Sequence, residues 1–424
     1  MVGEWAEVPL GDAITLQRGF DLPSQNRKPG KVPIVSSSGV SDYHSEAAVK
    51  GPGVVTGRYG TIGQVFLIEE DYWPLNTTLW VKDFHGNDPQ FASYLLRTID
   101  FQSCSDKSSV PGVNRNDLHR IPVLLPPLSE QRGIAAILGA LDDKIELDRR
   151  MNATLEAMAR ALFQSWFVDF DPVRAKLDLP ARSAQAGGRQ PAGMDADTAV
   201  LFPEQFAETE LGHIPHGWQV KTIEELAERV AMGPFGSDIK VATFVPAGIP
   251  VISGQHLRGT LLDESDFNFV SVEHADRLKR SNVQRGDIIF THAGSIGQVA
   301  YIPESSRYGR YILSQRQFYM RCNRALVSPF YISSYFKTPE GQHRLLANTS
   351  STGVPSISQP VTYLRQLRMV VPPPALLAVF DAAVSRIHLK MAANDHQSRI
   401  LATLRDTLLP KLLSGELSVA HLQN

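Results

Sequence analysis

Residues 57–70 read GRYGTIGQVFLIEE, and residues 291–304 read THAGSIGQVAYIPE. Seven of the fourteen positions are identical in ungapped register, and the stretches lie 234 residues apart (291 − 57) in a chain of 424. An offset of about half the chain implies a duplication, so the surroundings should match as well. They do. VPIVSSSG (32–39) parallels IPVISGQH (249–256), and GPGVVTGRYG (51–60) parallels RGDIIFTHAG (285–294). Downstream, DKSSVPGVNRNDL (106–118) parallels NTSSTGVPSISQPV (348–361). Each half then passes through a short strand and a proline pair, IPVLLPPLSEQ (121–131) and LRMVVPPPALL (367–377), into a long helical pattern.

A glycine-rich stretch after a strand invites a phosphate-loop reading, which requires a helix to follow the glycines. Here GTIGQVFLI and GSIGQVAYI run into alternating β-branched and aromatic residues, so a strand follows. Gly60, Gly63, Gly294 and Gly297 are therefore expected to be structural turn residues supplying positive φ in a tight hairpin. The runs LLPPLSE and VVPPPAL lack the asparagine and aromatic residue with which adenine methyltransferases hold their target base. No GxG loop follows a first strand, and neither HExxH, GxSxG nor CxxC occurs. Two half-copies that both lack catalytic motifs point to a binding scaffold.

The first helical pattern places Ile134, Ile137, Leu138, Leu141, Ile145, Met151, Leu155, Met158, Leu162 and Trp166 on one stripe, with a slip near Met151. The second places Phe380, Val384, Ile387, Met391, Leu401, Leu404, Leu408 and Leu412 there, with Asn394 and Ser398 among them. Such narrow stripes suit a coiled-coil seam, and an ordinary amphipathic helix packed on its own module is the alternative. About 40 helical residues at roughly 1.5 Å each make a rod near 60 Å, longer than a small domain is wide. Between the halves, residues 177–199 (LDLPARSAQAGGRQPAGMDADTA) lack periodicity and read as a flexible linker.

Composition is that of an ordinary globular protein, with 43% hydrophobic and 20% charged residues. The net charge of −2 gives no overall basic signature, so nucleic-acid binding would need local clusters of Lys and Arg or a basic partner. Cys104 and Cys322, one in each half, exclude a disulfide framework and a zinc ribbon, and both are expected to be buried. No apolar run approaches the roughly 20 residues of a membrane span, and a cytoplasmic protein is expected.

LLPPLSEQRGIAAILGALDDKIELDRRMNATLEAMARALFQSWFVDFDP (124–172), FPEQFAETELGHIPHGW (202–218) and LRDTLLPKLLSGELSV (404–419) resemble the specificity subunits of type I restriction-modification systems. One departure is PAL (374–376), which replaces the usual PPLxEQ in the second copy. The resemblance implies an α+β fold of two similar β-rich target-recognition domains. Each is followed by a long helix, and the helices pair as an antiparallel coiled coil in an internal pseudo-two-fold repeat. The boundaries expected are 1–126 and 214–372 for the recognition domains and 127–175 and 373–424 for the spacer helices. Residues 176–213 would form the linker and entry segment.

The function so implied is non-catalytic: each domain reads one half of a split, asymmetric site on double-stranded DNA, and the helices fix the gap. The partners implied are two methyltransferase subunits and restriction/translocase subunits, with S-adenosylmethionine, ATP and Mg2+ held by those partners and no cofactor on this chain. Phe163, Trp166, Phe167 and Phe170 form a candidate docking surface for a partner, the alternative being packing between helix ends. Two rival functions stay open: an enzyme with an unrecognised active site, whether DNA methyltransferase or nuclease, and a protein-interaction scaffold without a DNA role.

Major-groove readout uses Arg or Lys for guanine and Asn or Gln for adenine, with hydroxyls as adaptable partners. In the first module the residue types and loop positions select Arg58, Tyr59, Lys107, Ser108, Ser109, Asn114, Arg115 and Asn116. In the second they select Gln255, Arg258, His292, Ser295, Ser350, Ser351, Thr352, Ser358 and Gln359. For each, a solvated loop side chain or turn cap is the plainer reading.

Overall fold

The computed structural model describes residues 5–104, 112–177, 194–350 and 353–419. Its chain contacts divide it into two units. One comprises Met1–Asp148 with Asp395–Asn424, and the other comprises Arg149–Asn394.

In the first unit Thr15–Arg18, Thr78–Asp83, Gly53–Gly57 and Val65–Ile68 form, in that order, an antiparallel four-stranded sheet. A smaller sheet joins Gly39–His44, Val32–Ser36 and Trp73–Pro74, and Ala6–Pro9 pairs with Pro122–Leu125. The second unit repeats this plan. Ala227–Met232, Gln317–Cys322, Ile288–Thr291 and Val299–Tyr301 make one sheet. A second joins Asn268–Val270, Ile249–Ile252, Arg310–Leu313 and Asn282–Gln284, and Gln219–Thr222 pairs with Arg368–Val371. Gly53–Gly57 and Ile288–Thr291, the strands entering the repeated hairpins, are fully buried because both faces are covered.

The central helix spans Leu128–Phe163 and the C-terminal helix Pro374–Leu413. Within the first unit Asp142 pairs with Arg405, and Gly133 abuts Val419. Within the second, the Asn394 amide donates to Asn152 Oδ1 at 2.8 Å, and Phe163 packs on Phe380 with ring centroids 5.9 Å apart. In both, rising residue numbers on one helix meet falling numbers on the other, so the pairing is antiparallel. The buried stripe differs from the expected one at two places. Met158 and Leu404 are exposed, and Ala159, Phe163 and Asp148 are buried on the seam instead, while Asn394 is buried there as expected. Two polar residues there fit a seam that specifies its register at some expense of stability.

The helix starts are locked differently. Gln131 of the SEQ motif is buried: its amide donates to Asn87 Oδ1 (2.7 Å) and to the Pro126 carbonyl (2.9 Å), and its oxygen accepts from the Asp88 N–H (3.0 Å). In the second copy buried Leu377 takes the place of that glutamine, and the Ser328 hydroxyl donates to Asp381 one turn further on. The helix still begins at Pro374.

Three expectations are corrected. Phe163, Trp166 and Phe167 are only 1%, 8% and 5% exposed and belong to the core of the second unit, packed against Phe202, Trp218, Tyr331 and Phe380. Half-buried Phe170 sits edge-on to Phe206 and Trp218. So packed, Phe163, Trp166 and Phe167 have no free face to offer a partner. Cys104 is half-buried, whereas Cys322 is buried as expected. The last residues of the linker are ordered, since Asp195 caps a helix at Ala196–Val200 by accepting from the Thr198 N–H at 2.8 Å. The linker's residues 178–193 lie outside those described.

Candidate nucleic-acid interface

All four hairpin glycines have positive φ: 80° and 82° at Gly60 and Gly63, 82° and 83° at Gly294 and Gly297. This lets each hairpin fold back sharply over the strand that feeds it. In the first unit the turn is held from the side, where the N–H groups of Arg58 and Tyr59 donate to the Thr77 carbonyl at 2.8 and 3.2 Å. In the second, His292 N–H donates to the Arg316 carbonyl at 3.0 Å. Thr77 and Arg316 are thus equivalent positions beside the two hairpins.

The same hairpins reach across to the second matched segment. Tyr59 bridges Gly112, and Val113 N–H donates to the Arg58 carbonyl at 3.0 Å. Ala293 bridges Ser356, and Ile357 N–H donates to the His292 carbonyl at 2.8 Å. By this register Asn114 corresponds to Ser358 and Arg115 to Gln359. Residues far apart in sequence therefore form one exposed polar rim per unit.

In the first rim Arg58 lies over the Tyr59 ring, 4.6 Å from its centroid, and Tyr59 is half-exposed. Asn114 caps the short helix Arg115–Leu118, its Oδ1 accepting from the Asn116 N–H at 3.0 Å. Arg115 and Asn116 point to solvent, and Arg115 makes no ion pair among the described residues. Lys107, Ser108 and Ser109 lie outside the described residues.

In the second rim Ser295, Ser358 and Gln359 are exposed, and Gln359, at φ 45°, directly precedes the helix Pro360–Gln366. Ser350 pairs with Ser356 and is half-buried. Ser351 and Thr352 lie outside the described residues. Two expected contacts are placed differently. His292 turns inward: its Nε2 is 3.2 Å from the Gln315 carbonyl, its ring stands edge-on to Phe318, and burial lowers its pKa from 6.5. That neutral, engaged imidazole is not a free phosphate ligand. Gln255 is exposed, but its amide is taken up by His256 and the Asp266 carbonyl, while Arg258 is exposed without an ion pair among the described residues.

Two residues join these rims that the sequence reading missed. Ser37 stands 3.6 Å from where a Gly60 side chain would begin, and exposed Arg316 places Nη1 3.2 Å from the same point at Gly294. The alignment of TTLW (77–80) with RQFY (316–319), both leading into a sheet strand, is the signal that would have found Arg316. Among the described residues no group of three or more His, Cys, Asp and Glu side chains is placed to hold a metal ion. None of the described helices is long and apolar enough to cross a membrane.

The description "Type I restriction modification DNA specificity domain" belongs to the family whose model matches residues 3–157. The HindI specificity subunit of Haemophilus influenzae is 25% identical, with 98% of this chain and 100% of that one covered. Over nearly its whole length this chain is similar to a type I specificity subunit. The MjaIX specificity subunit of Methanocaldococcus jannaschii is 23% identical over 88% of this chain and 79% of its own. The crystal structure of a type I S subunit from M. genitalium superposes with a TM-score of 0.55 at 15% identity, covering 97% and 96% of the two chains. It shares with this chain the fold of two β-rich domains and long helices.

Proposed function

We propose that this chain is the DNA sequence-specificity subunit of a type I restriction-modification complex, each unit reading one half of a split, asymmetric site. The observation that carries the proposal is the pair of polar rims, built on one duplicated frame but furnished differently. The first presents Arg58, Tyr59, Arg115 and Asn116, the second Ser295, Arg316, Ser358 and Gln359. Equal frames with unequal side chains suit two unlike half-sites, because base edges are told apart by donor and acceptor pattern. The helices set the run of unread bases between the halves. The chain is not itself catalytic. It recruits methyltransferase subunits carrying S-adenosylmethionine, and restriction subunits using ATP and Mg2+, which also add phosphate contacts that a chain of net charge −2 does not supply overall.

Single-molecule sequencing of genomic methyladenine, in cells with and without the gene, tests this reading. Loss of one split motif is the expected result; an unchanged methylome in cells whose partner subunits are active rules it out. Arg115→Ala and Gln359→Ala should each weaken binding to that motif by about 1–3 kcal/mol and relax only one half of it. Equal losses on the motif and on random duplex would demote both residues to phosphate contacts.

A further inference from the structure

Among the described large apolar side chains none is more exposed than Phe235, at 86%. A lone exposed apolar residue is unremarkable, but the loop that carries this one is built to hold it. The Gly233 N–H donates to the Gln317 carbonyl at 2.8 Å, and a side chain at Gly233 would start 2.1 Å from the Ser314 carbonyl. Asp238 closes the turn, its N–H donating to the Phe235 carbonyl (2.9 Å) and its Oδ2 accepting from the Phe235 N–H (3.1 Å). The Asp238 carbonyl lies 2.8 Å from His274 Nε2, which anchors the far side.

Beside this loop opens a cleft of about 980 Å3 whose walls include Arg229, Arg277, Lys279, Arg280 and Arg365. Asp238 is the one carboxylate on its lining, and that group is occupied inside the turn. Arg229, Lys279, Arg280 and Arg365 make no ion pair among the described residues, although Arg365 donates to the Val230 carbonyl. His292 of the second hairpin and Gln315 beside it line the same cleft, so it is continuous with the rim described above. A concentration of unneutralised cations in a chain of net charge −2 marks a polyanion site.

The first unit lacks this arrangement. Gly19 N–H donates to the Thr78 carbonyl at 3.1 Å, which makes Gly19 the counterpart of Gly233 and Asp21 the counterpart of Phe235. There Phe20 folds inward onto Trp73 and Trp80, and Asp21 pairs with Arg18 at 3.2 Å and accepts from Asn76. A carboxylate at that position repels a phosphate backbone.

We propose that the Gly233–Asp238 loop is a DNA wedge: Phe235 inserts between adjacent base pairs of the half-site read by the second unit, and the cations of the cleft hold the flanking phosphates. Apolar wedges of this kind unstack a base step and kink the duplex. The first unit reads its half-site without such distortion. The inference rests on the DNA-reading function above.

The test uses the full chain and the duplexes it selects from a random pool, with 2-aminopurine substituted at each adenine in turn. Fluorescence should rise on binding at one step, in one half-site. Phe235→Ala should abolish the rise and weaken binding roughly tenfold to a hundredfold, with an unchanged melting midpoint and salt slope. The double variant Lys279→Ala, Arg280→Ala should instead lower the salt slope by about two and leave the enhanced step in place. If the wild-type chain binds its selected duplexes with no enhanced step, or if Phe235→Ala keeps both signal and affinity, the wedge is overturned while DNA reading stands. If the chain selects no duplex even with its methyltransferase subunits added, DNA reading and wedge fall together.

Discussion

Gly57 and Thr291 occupy the same place before the two hairpins, yet they are not interchangeable. A side chain on Gly57 would begin 1.7 Å from the Thr61 carbonyl, because the first hairpin folds back over that position. In the second copy the Thr291 hydroxyl lies 3.2 Å from Gln298 Oε1, and its carbonyl accepts from the Gly297 N–H at 3.2 Å. Gly57→Thr should therefore destabilise the first unit by about 3 kcal/mol through overpacking. Thr291→Gly should cost the second about 1 kcal/mol, in lost hydrogen bonding and added backbone freedom. Denaturant unfolding of the two variants checks the asymmetry, and equal costs would mean that the hairpins share one geometry after all.

At the scale of elements, the repeat and both long helices were legible because the pattern is local. Ile134, Leu138 and Ile145 on the central helix and Phe380, Val384 and Met391 on the C-terminal helix are buried as their spacing requires. Met158 was misplaced because the stripe drifts around the central helix after the slip near Met151, and Leu404 because the second stripe is interrupted at Asn394 and Ser398; periodicity alone does not say where such a drift ends. The rims were half legible. Arg58, Arg115 and Gln359 stand in polar runs, whereas Arg316 and Phe235 take their places through strand pairing, which brings distant segments together without leaving a composition signal.

Buried charge where the C-terminal helix begins yields a pH prediction. Burial pushes Asp381 up to about 6, against the Ser328 hydrogen bond and the charge of Arg324, which favour its carboxylate. Burial beside Tyr301 and Phe330 pulls His388 down to about 4 from 6.5; Glu156 opposes that shift and Lys337 adds to it. Between pH 4 and 6 the unfolded chain binds the extra proton at His388, so that group makes stability rise with pH. The folded chain binds the extra proton at Asp381, so that group makes stability fall, and the two slopes oppose each other. Asp381→Asn removes one of them. Its second unit should then lose stability as pH drops from 6 to 4, by up to about 1.4 kcal/mol per pH unit. A variant whose stability stays as flat as the wild type's over that range would show that His388 titrates normally.

For the whole molecule, the important fact is that a unit is not a continuous length of chain. The core of the first unit takes Ile134 and Leu138 from the central helix and buries Leu412 and Leu413 from residues 395–424 beside them. Leu412 is fully buried, so Leu412→Ala should cost the first unit about 2–5 kcal/mol, although it lies near the chain's far end. Limited proteolysis should then cut within residues 5–104 sooner, while the second unit keeps its resistance; unchanged cleavage there would detach the C-terminal residues from that core.

The same discontinuity orders events on the ribosome. Residue 148 is made long before residue 412, and at 5–20 residues per second the wait is roughly 15 to 50 s. Until then the apolar stripe around Ile134 and Leu138 has no native cover, and a nascent chain in that state is a substrate for holding chaperones. A nonsense codon anywhere between codons 395 and 412 would remove Leu412 and Leu413, leave that stripe bare for good, and spoil the half of the protein that was translated first.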